Sequence, residues 1–411
     1  MNIKDIILKK SHGKKLTLEE IKFFVDGYTC DTIPDYQASS LLMAIKLKGM
    51  DEKETFYLTK AMLETGEVLD LSSLGYVVDK HSTGGVSDTT TLAIAPIVAC
   101  CGVKALKLSG KGLGHTGGTI DKLMAFDGLN TNLSIPQAME ITKKVGTCVI
   151  SATLNLAPAD KKLYALRDAT STVDSIPLIA SSVMSKKLAS GANAIVLDVK
   201  YGNGAFMKTK KEAVELAKLM VSIGKQYGRK MDCVVGDMNE PLGYNIGNTL
   251  ESYEAIEVLQ GKQGKLTNAV LELASKCIAL GLNINQEKAQ KMAIDAIKSG
   301  KALQKFKEMV KAQGGSTKLF NGLKLKPTLK VIAQNDGILK KIDTERLGTL
   351  VGQMGASRQT IDDVIDINVG VKTFHKLGDK ICKGDTLFEI YAKNKSQANE
   401  FAPKLLDCYK F

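Results

Sequence analysis

Two glycine-rich segments, "KHSTGGVSDTTTL" (residues 80–92) and "SGKGLGHTGGTIDK" (109–122), do most to restrict how this chain can fold. A short apolar run precedes each, "YVVD" before the first and "VKALKLS" into the second, and a helix-like stretch follows. Strand, glycine loop, helix and strand in succession are the unit of a parallel α/β sheet. A further run, "TCVIS" from residue 147, continues the pattern. Open sheets of this kind bind ligands beyond the C-terminal ends of their strands, which is where both loops fall. Glycines let backbone approach a ligand closely, and hydroxyls with N–H groups at a helix start suit an anion such as phosphate. His81 is foreign to a simple phosphate cradle, because a group that titrates near neutrality suits catalysis.

Around these loops the chain alternates between helical and strand patterning. Residues 1–66 read as helices, with capping boxes from Thr17 to Glu20 and from Asp51 to Glu54 and a stop at Gly66. After the α/β unit, "PADKKLYALRDATSTVDSIPLIASSVMSKKLASG" returns to helix, with Asp174 or Ser175 as a cap, before the strands "NAIVLDV" and "MDCVVGD". Helices resume at Asn248, with Asn248 and Glu251 as a box, and run to about residue 313. Beyond them, Asp336-Gly337 reads as a hairpin and "TFHKLGDKICKGDTLFEIYA" as alternating strands around two Gly-Asp turns. The predicted class is α/β: a discontinuous helical domain (1–66 and 158–191), a larger α/β domain with a mixed, mainly parallel sheet (67–157 and 192–328), and a small C-terminal α+β domain (329–411). At 411 residues the length suits two or three domains of about 100 to 200 residues each. A chain that leaves one lobe and returns to it suggests a hinge.

The formal charge of +12 raises nucleic acid as a partner. The basic residues are instead spread along the chain beside acids, and aromatics at 5% leave few stacking platforms, so neither nucleic acid nor membrane is expected. Eight cysteines without a C-x-x-C pair read as thiols of a reducing cytoplasm. The N-terminal segment lacks the apolar core of a signal peptide, and the longest apolar run, "LAIAPIVACCGV", is too short to span a bilayer.

"GLGHTG" (112–117) satisfies the dinucleotide pattern, but Asp127 comes too early and sits in a turn, so no ribose-binding acid follows at the required distance. No G-x-x-x-x-G-K-[ST] is present. What remains is a repeated set: Lys80 and Lys107 at strand ends, Ser82 and Ser109 two residues later, and Thr91 and Thr119 by the following helices. Two strand ends with a cation, a hydroxyl and glycine N–H groups can surround one phosphate. Arg167, with Ser182 and Lys186 on one face of a later helix, suits a planar ligand with carbonyl oxygens. His115 reads as loop-ordering, and His12 and His375 as surface residues.

The segments "DKHSTGGVSDTTTL", "LSGKGLGHTGGTIDKL", "LYALRDATSTVDSIPLIASSVMSKKLA" and "DVKYGNGAFM" resemble those of the thymidine and pyrimidine-nucleoside phosphorylases, in order and approximate spacing. The resemblance implies reversible phosphorolysis in pyrimidine salvage, with phosphate attacking C1′ of a nucleoside and giving free base and an α-pentose 1-phosphate with inversion. It implies that His81 donates to the base O2, that Arg167, Ser182 and Lys186 hold the base, and that Lys80, Ser82, Thr91, Lys107, Ser109 and Thr119 hold phosphate. A potassium ion would fall to Ser87, Thr89, Leu242, Asn245 and Glu254, with glycine usual in the place of Ser87 and alanine common at Asn245. No organic cofactor is implied; a homodimer through the helical domain is. Lys107 resembles the broad branch, which accepts uridine, thymidine and deoxyuridine, whereas the thymidine-specific branch tends to carry methionine there. Alternatives are a thymidine-only enzyme, an anthranilate phosphoribosyltransferase-like enzyme needing magnesium, and a non-catalytic nucleic-acid binder.

Overall fold

The computed structural model describes residues 1–112, 117–152, 156–358 and 363–411. The chain begins with α1 (Ile3–Ser11), α2 (Leu18–Thr29), α3 (Asp35–Lys48) and α4 (Glu52–Glu64). Both expected capping boxes form: Thr17 and Asp51 accept from the backbone of Glu20 and Glu54, whose side chains reach back to the cap N–H groups. These boxes satisfy donors that the first helical turn otherwise leaves unpaired.

The chain then enters β1 (Val78–Ser82), α5 (Thr90–Cys100), β2 (Ala105–Ser109), α6 (Thr119–Leu123), α7 (Ile135–Val145) and β3 (Thr147–Ser151). It returns to the helical lobe through α8 (Pro158–Ala169) and α9 (Ile176–Ala189), and comes back as β4 (Ala194–Tyr201), α10 (Lys210–Gln226) and β5 (Lys230–Asp237). The strands β1, β4 and β5 pair in parallel, as do β2 and β3, and a parallel bridge from Val77 to Lys104 links the two groups. Every pairing described among these five strands is parallel. Residues 194 to 197 of β4 are wholly buried, which fits a strand covered on both faces. At about 1.5 to 3 kcal/mol per buried aliphatic side chain, they help fix the sheet.

Helix α9 is the seam of the molecule. Leu178 joins the core of the helical lobe, while Ala180, Met184 and Leu188 join that of the α/β lobe. An apolar helix shared by two cores places its polar positions, Ser182 and Lys186, where the lobes meet. Its first residue follows Ser175 as cap, without a side-chain capping bond, and Pro177 lies in the first turn.

A short β6 (Asn245–Ile246) leads into α11 (Asn248–Leu259), α12 (Lys265–Leu282), α13 (Gln286–Lys298) and α14 (Lys301–Ala312). The C-terminal lobe comprises β7 (Leu329–Ile332), β8 (Gly337–Ile338), β9 (Lys341–Ile342), α15 (Thr344–Val351), β10 (Gly370–Thr373), β11 (Lys380–Ile381), β12 (Thr386–Tyr391), α16 (Lys395–Leu406) and β13 (Tyr409–Lys410). Antiparallel pairing enters here, in a sheet ordered β6-β10-β12-β7, so that β6 ties the third lobe to the second.

Three local expectations are corrected. Asn248 is not a cap: Gly247 is, with Glu251 accepting its N–H, and the Asn248 amide instead donates to the carbonyl of Ala356. Asp336-Gly337 does not join neighbouring strands, because Gly337 opens β8, which pairs with the distant β11, and the Asp336 carboxylate accepts from Lys383 N. Strand β1 does not end at Lys80 but continues through His81 and Ser82, which face Leu197 and Asp198 of β4. Likewise Lys107 is the middle residue of β2. The two Gly-Asp turns form as expected, Gly378 and Gly384 taking positive φ while Asp379 and Asp385 accept from the backbone of Lys376 and Cys382.

Candidate active site

Because β1 continues to Ser82, His81 and Ser82 reach the cleft between the helical and α/β lobes. This cleft, about 340 Å³ in volume, is lined by His81 and Ser82 from β1, Arg167 and Tyr164 from α8, Ser182 and Lys186 from α9, and Lys111 and Phe206 from connecting loops. The structure thus brings His81 together with the three residues expected to hold a planar ligand. The Arg167 guanidinium donates to the carbonyls of Thr172, Val173 and Leu178, which orders the α8–α9 connection. Lys186 is half-exposed to the cleft and pairs at 2.5 Å with Asp160, whose other carboxylate oxygen is buried without a partner.

The cations near β1 and β2 form two buried clusters. In the first, Lys80 lies 2.9 Å from Asp198 and donates to Thr90 Oγ1 at 2.6 Å. Thr90 and Ser82 both donate to Asp88, at 2.6 and 2.5 Å. Burial opposes ionisation of Asp88, but Lys80, Lys200 and Lys122 outweigh it and hold the carboxyl far below the usual range. In the second, Asp79 binds Lys107 at 3.1 Å and Lys187 at 2.7 Å, and Lys107 also donates to the carbonyl of Lys80. Burial lowers the Lys107 pKa to about 7 despite Asp79. Thr91 shares a small cleft with Asp79, Lys80 and Lys107, while Ser109 ends β2 and Thr119 begins α6, both half-buried.

His81 stands above the second cluster. Burial, then the ammonium groups of Lys187 and Lys107, push its pKa well below the ordinary 6.5. The ring is therefore neutral at pH 7, with one nitrogen donating and the other accepting. A neutral imidazole beside several buried cations can donate a hydrogen bond to a developing anion without adding another charge to the cluster.

Of the residues expected around potassium, Ser87 and Glu254 both bond to the backbone of Asn245. The buried Glu254 carboxylate accepts from the backbone of Tyr244 and Asn245 at 2.8 and 3.0 Å, its nearest ammonium is Lys262 at 3.9 Å, and burial raises its pKa. Thr89 Oγ1 and Asn245 Oδ1 are buried without partners, and Leu242 N donates to Val86 O. An all-oxygen set with a weakly compensated carboxylate fits a hard monovalent cation. Ser87 differs from a simple carbonyl donor. It holds a left-handed φ of 60°, rare without glycine, and its hydroxyl donates at 2.5 Å to the carbonyl of Asn245.

Sequence reasoning missed Asp79, Lys187, Asp160, Asp88, Asp198, Tyr164 and Phe206. Asp79 stood inside a singled-out segment, and its one signal was an acid beside a lysine in a strand otherwise expected to be apolar. His115 lies outside the described residues. His12 is exposed and bonds to the carbonyl of Leu8, and His375 is half-buried. All eight cysteines are free. Among the described residues no helix is long and apolar enough to cross a membrane.

Comparison with known proteins places this geometry in context. Residues 4–66 match the helical bundle domain of the glycosyl transferase family, 74–303 its a/b domain, and 338–411 the pyrimidine nucleoside phosphorylase C-terminal domain. The pyrimidine-nucleoside phosphorylase of Bacillus subtilis (strain 168) is 48% identical over 99% of this chain and 95% of its own length. That of Staphylococcus epidermidis (strain ATCC 12228) is 50% identical over 96% and 93%. The solved anthranilate phosphoribosyltransferase of Thermus thermophilus shares the fold at TM-score 0.59 and 18% identity, over 75% of this chain and 98% of that one. The full-length identity and the three matched regions show that the chain belongs to the pyrimidine-nucleoside phosphorylase family.

Proposed function

We propose that the protein catalyses reversible phosphorolysis of pyrimidine nucleosides, uridine, thymidine and deoxyuridine among them, to free base and α-pentose 1-phosphate. The observation that carries this reading is the position of His81, between a cleft lined by Arg167, Ser182 and Lys186 and the buried cations Lys80 and Lys107. Phosphate is already a nucleophile and needs no activating base. What the reaction requires is in-line positioning and stabilisation of the departing pyrimidine anion. A phosphate oxygen attacks C1′ from the face opposite the base, the C1′–N1 bond breaks, and its electron pair passes into the ring and onto O2. His81 donates from its neutral ring to that oxygen. Arg167, Ser182 and Lys186 hold the base edge, with Asp160 orienting Lys186.

Lys80 and Ser82 of β1, Lys107 and Ser109 of β2, and Thr91 and Thr119 of the helices that follow receive the phosphate. Lys80 and Lys107 each direct two donors at protein oxygens, which leaves each ammonium one further N–H for an anion. Closure of the lobes about α9 would exclude water, the competing nucleophile. Potassium would be held by Ser87, Thr89, Leu242, Asn245 and Glu254, and would supply positive charge that fixes the 242–245 loop against the first glycine loop.

A homodimer through the helical lobe completes the reading. Helix α3 buries Leu41, Leu42 and Ile45 yet exposes Tyr36 (71%), Met43 and Leu47 (72%), beside exposed Leu8 of α1, an apolar face that a second copy would cover. Leu47→Glu should shift the protein to monomer in sedimentation. The free cysteines suit a reducing cytoplasm. The reaction is tested by following uridine and thymidine with phosphate by ³¹P and ¹H NMR. An α-pentose 1-phosphate should appear in step with free base from both substrates. Release of thymine but not uracil would leave a thymidine-only enzyme, and release without phosphate ester would refute phosphorolysis.

A further inference from the structure

Among the buried ion pairs that the mechanism above leaves unused, one joins the C-terminal lobe to the second glycine loop. Arg358 of the C-terminal lobe, 8% exposed, reaches Asp121 of α6 with Nη1 at 2.7 Å from Oδ1. The other oxygen of Asp121 accepts from Gly112 N at 2.6 Å and Gly118 N at 3.0 Å, so one carboxylate ties together the two ends of the second glycine loop. The closeness is such that a Cβ on Gly118 would meet Gly112 N at 2.4 Å and Gly110 O at 2.6 Å. In the next residue, Lys122, the ammonium donates to the carbonyl of Asp88 and pairs with Glu251 at 2.7 Å, joining this loop to the first. A second contact from the same stretch of the C-terminal lobe runs parallel: Asn248, packed on Gly117, donates to Ala356 O at 2.7 Å.

We infer that Arg358 is a positioning residue for phosphate: through Asp121 it sets Gly112, Gly118 and the adjoining Thr119, so the C-terminal lobe is part of the nucleophile's site. The inference rests on the proposed assignment of Thr119 and the glycine loops to phosphate. A carboxylate holding two backbone N–H groups needs a fixed orientation, and a guanidinium on its free oxygen supplies it with a directional, charge-assisted bond. Without it, Asp121 is a buried charge lacking its partner, free to rotate away from Gly112 or Gly118. Displacement of a loop by about 1 Å is enough to cost roughly 100-fold in a positioned reaction. Among the described residues, the Arg358–Asp121 contact involves none of Arg167, Ser182 and Lys186 on the base side.

The test compares wild type, Arg358→Gln, Arg358→Lys and Thr119→Val in the full chain, measuring KM for inorganic phosphate, KM for uridine, and the rise in Tm caused by phosphate. Arg358→Gln should raise the phosphate KM about 10-fold or more and remove most of the phosphate-induced rise in Tm, with the uridine KM within about twofold of wild type. Arg358→Lys, which restores charge without the fork, should recover part of the loss. A phosphate KM within about twofold of wild type in both Arg358 variants, with Thr119→Val impaired, overturns the role of Arg358 alone. Parallel loss for uridine and phosphate would make the contact merely structural and overturn it too. If Thr119→Val is also unimpaired, the phosphate assignment beneath it falls as well.

Discussion

Lys187 Nζ lies 2.7 Å from Asp79 Oδ2, and this contact joins two residues 108 positions apart on the face of β1 that also carries His81. Lys187 and Lys107 on one carboxylate place two ammonium groups near a histidine that burial already keeps neutral. The sign follows: a histidine whose folded pKa lies below its unfolded value of about 6.5 favours the folded state above that pH and loses this contribution as pH falls below it. In activity, kcat should show no His81 limb near pH 6.5. Lys187→Met removes one cation from beside the ring, so an acid limb should rise into that range while Arg167, Ser182 and Lys186 stay in place. A wild-type acid limb near 6.5 that is lost in His81→Ala would contradict the neutral ring.

On the proposed assignment, Lys107, with its pKa lowered to about 7, would supply phosphate with a charge that fades as pH rises. Affinity for phosphate should therefore weaken between about pH 7 and 9 more steeply in wild type than in Lys107→Arg, whose guanidinium stays charged. Comparing the two proteins cancels the ionisation of phosphate itself. Parallel profiles of log KM for phosphate would remove the titrating lysine from the account.

Asp160 holds Lys186 at 2.5 Å and spends no described contact on its other oxygen. Asp160→Asn should raise the KM for uridine by about 10-fold, the loss of roughly 1.4 kcal/mol of binding, and leave the phosphate KM within about twofold. Steady-state kinetics with each substrate varied in turn separates the two.

Several of these partners are illegible in the sequence for one physical reason: they are long-range pairs. The glycine loops, hydroxyls and His81 are consecutive and carry their chemistry locally, so the α/β class, and the set proposed for phosphate, can be read directly. Lys80 and Lys107 read equally well as surface lysines, since burying an ammonium is costly unless an acid meets it. Those acids, Asp198 and Asp79, act across the sheet. The end of β1 is misread because a strand covered on both faces shows no alternation, and its polar last residues look like loop. Asp160 with Lys186, and Arg358 with Asp121, come from different elements, and no spacing rule connects them.

Ser87 gives the cation reading a test that does not depend on turnover. Its hydroxyl occupies the Asn245 carbonyl, and its left-handed backbone suits glycine better. Potassium should raise Tm over an equal concentration of choline in the wild type, more so in Ser87→Gly, and not in Glu254→Gln. An unchanged response in Glu254→Gln would place the ion elsewhere.

The central claim is that His81 stabilises a leaving pyrimidine while phosphate attacks. It is tested most directly by the phosphate-dependent release of uracil from uridine by wild type and His81→Ala at saturating substrates. The account predicts release that requires phosphate and falls about 10²- to 10³-fold in the variant, with phosphate-induced stabilisation preserved. Release at the wild-type rate by His81→Ala, or release independent of phosphate, would contradict it.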